Sequence, residues 1–165
     1  MTLEGIFGVP LDVTATFIIL FNNFGAVLEH SGAGRFFVDW AMAAVGRSKH
    51  GAGPGRTVTT AGYLFGSVSG SGVANTVMLG AVTWPLMRQA GYSPEVGGAI
   101  LAAAGLGAIL APPAMGAAAF LIAEYLQISY LQVIAMAAIP ALLYYFSVFL
   151  MVEADSRRHQ LRNVE

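Results

Sequence analysis

Cysteine is absent from this chain of 165 residues, which excludes disulfides, thiolate catalysis and thiolate metal sites. Charge is nearly as scarce. Asp, Glu, Lys and Arg make up 10% of the residues, where an ordinary soluble domain carries about 25%. A small soluble domain keeps a large surface in water and cannot hide that deficit in one core. The hydrophobic residues, 56% of the chain, are therefore expected to face lipid or other membrane helices. The formal net charge of -1 offers no basic face to a nucleic acid, so no nucleic-acid partner is expected. From Met1 to Pro10 there is no Lys or Arg and no small-residue cleavage site, so this segment does not read as a secretory signal peptide.

Four stretches carry no formal charge: 13–28, 57–87, 96–123 and 130–152. A helix needs about 20 apolar residues to cross about 30 Å of hydrocarbon. The last stretch fits one crossing over 130–153, with Pro140 as an expected kink. The first fits another over 11–30, with Asn22 and Asn23 at its middle as interhelical hydrogen-bonding groups. Between these, Arg35 and Asp39 stand beside Phe36, Phe37, Trp40 and Met42. That mixture predicts an amphipathic arm helix at the membrane interface over 34–46.

The stretch 57–87 is too long for one ordinary span and too short for two. Its centre, Gly66-Ser67-Val68-Ser69-Gly70-Ser71-Gly72, is a poor helix former and a good turn. The reading is a re-entrant helical hairpin over 57–88, with arms of about 13 residues, each roughly 20 Å long. One long tilted helix with a flexible glycine patch is the alternative. The segment 94–126 would be roughly 50 Å long as one helix. Pro112-Pro113, after Gly105 and Gly107, predicts a break near 108–113. A kinked but continuous helix is the alternative.

Lys and Arg mark the cytoplasmic side. Arg47, Lys49 and Arg56 precede the hairpin, Arg88 follows it, and Arg157, Arg158 and Arg162 follow the last span. If the hairpin re-enters, all seven fall on one side. The first helix then runs from outside to inside.

Irregular backbone survives inside a bilayer only within protein or around a cavity. The tip 69–75 and the break 105–113 therefore predict one shared polar site. Free carbonyls with serine and asparagine oxygens suit a hard cation such as sodium, and the N-terminal ends of the second half-helices suit an anion. Ser69, Ser71 and Asn75 are the candidates for this work, while Ser67 divides evenly between packing and function. Gly97, Gly98, Ala102, Gly116 and Ala117 read as close-packing positions. Glu124 reads as a structural residue near the outer interface. Catalysis is not expected. An activated serine needs a base, but His30, His50 and His159 lie outside the apolar stretches and Gly66–Gly70 is not a nucleophile elbow. No cofactor is called for beyond the ion. A channel remains open as an alternative, although no filter motif or charged ring is present. So does a non-transporting scaffold or assembly subunit.

The run Leu64-Phe65-Gly66-Ser67-Val68-Ser69-Gly70-Ser71-Gly72-Val73-Ala74-Asn75, continuing to Thr83-Trp84-Pro85-Leu86-Met87, resembles the first re-entrant hairpin of the large membrane subunit of tripartite ATP-independent periplasmic (TRAP) transporters. The run from Phe24 to Gly34 is similar to the helix end and arm before it. Pro112-Pro113-Ala114-Met115-Gly116-Ala117-Ala118-Ala119-Phe120 and Ile139-Pro140-Ala141-Leu142-Leu143-Tyr144-Tyr145 resemble the TAXI-type branch. The resemblance covers about 5–155.

It implies an all-α membrane protein of the bacterial inner membrane, and a multi-pass sodium symporter of elevator type that imports organic anions such as carboxylates. It also implies an extracytoplasmic solute-binding protein and a small membrane subunit or fused domain as partners. Ion binding is implied at Ser69, Gly70, Ser71, Gly107, Ala108 and Pro112. Substrate binding is implied at Ser71, Val73, Ala74, Asn75, Thr76, Pro113 and Met115. Many relatives carry Ser-Thr-Gly-Gly-Gln before the double proline, where this chain has Gly105-Leu106-Gly107-Ala108-Ile109. Side-chain oxygens are lost there, so backbone carbonyls would have to serve. The family has two inverted repeats, each with a hairpin, and this chain has one. The expectation is one inverted-repeat half, whose missing second half is a further partner.

Overall fold

The computed structural model describes residues 8–47 and 51–158. Lys49, His50, His159 and Arg162 lie outside the described residues, and the side chain of Asn22 with them. All regular structure among the described residues is helical, in seven helices.

Helix α1 (9–30) begins with Pro10 in its first turn, where a missing amide costs nothing. It is α-helical over Val9–Val13, π-helical over Thr14–Ile18 and α-helical over Ile19–His30. The Thr14 and Thr16 hydroxyls bond back to the carbonyls of Pro10 and Asp12 at 2.6 and 2.7 Å where the helix widens. Asn23 differs from its expected interhelical role: its amide donates to Ile19 of its own helix at 2.9 Å. Helix α2 (Ala33–Val45) follows Gly32, whose φ of +83° suits glycine. It buries Val38 and Ala41 and exposes Phe36 and Trp40, which makes it two-faced. The buried face lies along the next helix, with Phe37 against Phe65 and Gly46 against Gly53.

Helices α3 (Gly53–Ser69) and α4 (Gly72–Gln89) are joined by Gly70 and Ser71 alone. Their 17 and 18 residues exceed the expected 13, making each arm about 26 Å long. The extra turn comes from Gly53-Pro54-Gly55, which starts the helix with proline in its first turn. Arg56, a good helix former, lies inside α3, and its guanidinium reaches Glu153 on the last helix. The arms return to a common end: Tyr92, just past α4, packs on Gly55 near the start of α3.

Helix α5 (Pro94–Gly107) is capped by Ser93, whose Oγ accepts from the Val96 amide at 3.4 Å. It stops at Gly107, and nine residues, 108–116, separate it from α6 (Ala117–Leu126). The chain between 94 and 126 is thus two half-helices with a wide break. Helix α7 (Tyr130–Arg158) runs 29 residues without interruption at Pro140, five residues past the expected end at 153. Arg157 pairs with Glu153 one turn earlier at 3.2 Å, which supports the extra turn.

The main core gathers Val38, Val58, Leu79, Met87, Leu101 and Val152 from α2, α3, α4, α5 and α7. A second, smaller one joins Met115, Ala119 and Val133. Much apolar surface stays uncovered, including Leu20, Val27, Leu131, Ile139 and Phe146. Two stretches, Val9–Leu28 and Tyr130–Arg158, are long and apolar enough to cross a membrane by length and composition.

Candidate functional site

The hairpin tip and the helix break meet. Gly70 ends α3 in the left-handed region at φ +62°, and its amide bonds the Gly66 carbonyl at 3.0 Å. Glycine is needed there twice over, because a Cβ would also overlap the Met115 carbonyl oxygen. Ser71 then caps α4, its Oγ accepting from the Ala74 amide at 3.3 Å. The Ser69 hydroxyl accepts from the Ser71 amide at 3.4 Å. One backbone bond ties the last turn of α3 directly to the break: the Ala114 amide donates to the Ser67 carbonyl at 3.0 Å. Inside the break, Met115 bonds Ala111 and Gly116 bonds Ile109, at 3.1 and 3.0 Å.

Below the tip, small residues bring three helices close. Gly62 and Gly66 stand one turn apart on α3, facing Ala104 and Ala108. A Cβ on Gly66 would lie 2.7 Å from the Ala108 Cα. Gly105 packs against Gly72 and Thr76 of α4. Asn75 sits at this junction, fully buried. Its Nδ2 donates to the Gly62 carbonyl at 3.0 Å and approaches the Ala104 carbonyl at 3.5 Å, bridging α3 and α5. Its Oδ1 is buried with no hydrogen-bond partner among the described residues.

The residues singled out from sequence are distributed as follows. Ser69, Gly70, Ser71 and Asn75 lie at the tip, and Ala108, Pro112 and Pro113 lie in the break it touches. Thr76 is adjacent, but its hydroxyl donates to Gly72 of its own helix at 2.8 Å. Ser67 likewise bonds Leu64 at 2.8 Å. Ala74 is half-buried, and Val73 faces outward at 78% exposed. Gly107 faces α7, where a Cβ would stand 2.6 Å from Tyr145. Met115 packs in the second core, and the Pro113 carbonyl accepts from the Tyr130 hydroxyl at 2.9 Å. Among the packing candidates, Gly97 meets Trp84 and Gly116 meets Ile109, while Gly98 has open space and Ala102 and Ala117 are exposed.

Sequence reasoning gave no site role to Gly62, Gly66, Ala104 or Tyr145, and residues 66–69, expected in the turn, are helical. The spacing of Gly62, Gly66 and Gly70, four residues apart, was the available signal for a close helix contact.

No Asp, Glu, Lys, Arg or His lies within 66–76 or 104–119. The electrostatics of the junction therefore come from backbone ends. Helices α3 and α5 end there and present carbonyls, while α4 and α6 begin there and present amides. A junction of that kind can hold a cation and an anion side by side. Among the described residues no group of His, Cys, Asp and Glu could hold a metal ion.

Comparison with known proteins places this arrangement. The family model for the DctM component of tripartite ATP-independent periplasmic transporters matches residues 2–165. The C4-dicarboxylate TRAP transporter large permease protein DctM of Rhodobacter capsulatus is 34% identical over 99 residues, covering 60% of this chain and 21% of that protein. The 2,3-diketo-L-gulonate TRAP transporter large permease protein YiaN of Escherichia coli is 30% identical over 105 residues, covering 64% of this chain and 24% of that protein. The chain thus spans under a quarter of the length of these relatives. No solved structure matches. The family is one of transporter permeases and not of enzymes. With its hairpin, its broken helix and a family match over nearly its whole length, the chain belongs to the DctM component family of tripartite ATP-independent periplasmic transporters.

Proposed function

We propose that this chain is part of the transport domain of a sodium-coupled permease that imports organic anions, carboxylates among them, across a bacterial inner membrane. In this reading the solute arrives from an extracytoplasmic binding protein, and the working permease includes a second half and a small membrane subunit or fused domain. The TAXI-type branch is the proposed subfamily, on the strength of the Pro112–Phe120 and Ile139–Tyr145 runs.

The observation that carries the reading is Asn75 Oδ1, buried without a partner where α3, α4 and α5 meet. A buried acceptor left unpaired costs about 1–3 kcal/mol, and a bound cation would satisfy it. The amide ends of α4 and α6 suit a carboxylate beside that cation. Each charge then favours the other, so coupling between them is reciprocal. Ser69, Gly70, Ser71, Gly107, Ala108 and Pro112 are the proposed ion-binding residues. Ser71, Val73, Ala74, Asn75, Thr76, Pro113 and Met115 are proposed for the substrate.

The test is uptake into proteoliposomes by the complete transporter with its binding protein, over a sodium titration. Asn75→Ala is expected to raise the half-saturating concentrations of both sodium and solute about tenfold, one lost polar contact each. Arg158→Ala, exposed at the far end of α7, is expected to change neither. Unchanged sodium and solute dependence in both Asn75→Ala and Ser71→Ala would reduce the cluster to packing.

A further inference from the structure

A helix that stops leaves its last carbonyls without amide partners. At the end of α5 one of these belongs to Ala104. In a continuing helix it would accept from Ala108, but the Ala108 amide donates to Gly105 at 3.0 Å. Leu106 and Gly107 are served in the same tightened way, by Ile109 and Leu110. Two side chains from different helices reach the Ala104 carbonyl instead. The Tyr145 hydroxyl of α7 donates at 3.3 Å, and Asn75 Nδ2 of α4 approaches at 3.5 Å. The Tyr145 ring is buried, edge-on to Tyr63 with centroids 5.0 Å apart, and Gly107 leaves room for it. Asn75 is therefore held between two carbonyls, Gly62 and Ala104, and the aim of its unpartnered Oδ1 depends on where both stand.

We infer that Tyr145 is a positioning residue of the transport site: its hydroxyl fixes the Ala104 carbonyl at the cut end of α5, and through it the direction in which Asn75 presents Oδ1. The inference rests on the reading of that junction as a cation site. Tyr144 is the natural contrast. Its hydroxyl donates to Ala103 at 2.8 Å, a carbonyl outside the Asn75 contacts. Without the Tyr145 hydroxyl, the Ala104 carbonyl draws the Asn75 amide toward itself and Oδ1 turns away. Cation binding weakens, while the steps that follow at saturating sodium do not.

The experiment compares Tyr145→Phe and Tyr144→Phe in the complete transporter with its binding protein, by proteoliposome uptake over a sodium titration. Tyr145→Phe keeps the ring and removes one hydrogen bond. It is expected to raise half-saturating sodium about tenfold and to preserve the maximal rate. Tyr144→Phe is expected to move half-saturating sodium less than about twofold. Added to Asn75→Ala, Tyr145→Phe is expected to cause no further shift, because both act on one contact. Unchanged sodium dependence in Tyr145→Phe overturns the inference, and so does an equal shift in Tyr144→Phe. Amide hydrogen exchange on the same proteins separates this failure from failure of the functional reading. Exchange across 105–116 is expected to quicken in Tyr145→Phe, with the base of α3 unchanged, whatever the coupling ion. If wild-type uptake ignores sodium, the functional reading falls and exchange decides the positioning role alone. Unchanged exchange then overturns it.

Discussion

Missing side chains set how near the hairpin comes to the broken helix. Gly105 is the sharpest case, since a Cβ there would overlap Thr76 Oγ1 and stand 2.8 Å from the Gly72 carbonyl. Neither neighbour is the loose end of a long side chain, so α4 and α5 would have to separate. Gly105→Ala is therefore expected to cost about 1–3 kcal/mol, read as a lower midpoint of thermal unfolding in detergent. A Cβ on Gly98 would meet nothing within 4 Å. Gly98→Ala removes a flexible residue from a helix interior and is expected to be neutral or stabilising by up to about 1 kcal/mol. Equal losses in both variants would mean that the packing at Gly105 is not the reason for its glycine.

Among the elements, the hairpin is defined by its turn and its base. Two residues, Gly70 and Ser71, reverse the chain. The left-handed Gly70 closes α3 while Ser71 opens α4, so no longer loop is needed. At the base, Tyr92 and Val152 pack on Gly55, and the Arg56 guanidinium donates to the Arg47 carbonyl at 3.3 Å. The start of α3 and the end of α4 thus share one end of the bundle. Cysteines at the exposed positions Arg47 and Gln89 are accordingly expected to react with an impermeant thiol reagent from the same membrane face. Labelling from opposite faces would make 57–88 a single crossing and reject the hairpin.

At the scale of the whole molecule, charge and apolar surface separate. Glu153 receives Arg56 from α3 and Arg157 from its own helix, and Arg56 also lies over the Phe149 ring at 5.6 Å from its centroid. Exposed apolar residues run along α1 and α7, with others on α2, α4 and α6. Glu153→Gln would leave two guanidiniums facing each other with no carboxylate between them. The pair is partly solvated, with side-chain exposures of 23% and 18%, so screening limits the loss. An expected loss of about 1 kcal/mol is checked by thermal unfolding. Burial pushes the nearby Tyr92 phenol up to about 12, with the Asp155 and Glu153 carboxylates adding to the rise. It stays protonated at any working pH.

Several features were legible in the residues alone. Scarce charge and chargeless runs pointed to the all-helical membrane character. The Gly-Ser run marked the turn at Gly70-Ser71, and Pro112-Pro113 marked the break, because these residues act on their own backbone. Local chemistry of this kind needs no partner to be read. The depth of the hairpin was not legible, since the pairing of Arg56 with Glu153, distant in sequence, that holds the base of α3 against α7 exists only in the packed structure. Nor was the partition of the polar residues. Asn75 crosses to Gly62 and Ala104, whereas Thr76 and Ser67 turn back on their own helices. That choice is made by which backbone carbonyl lies within about 3 Å, and only the packing of α3, α4, α5 and α7 decides where those carbonyls stand.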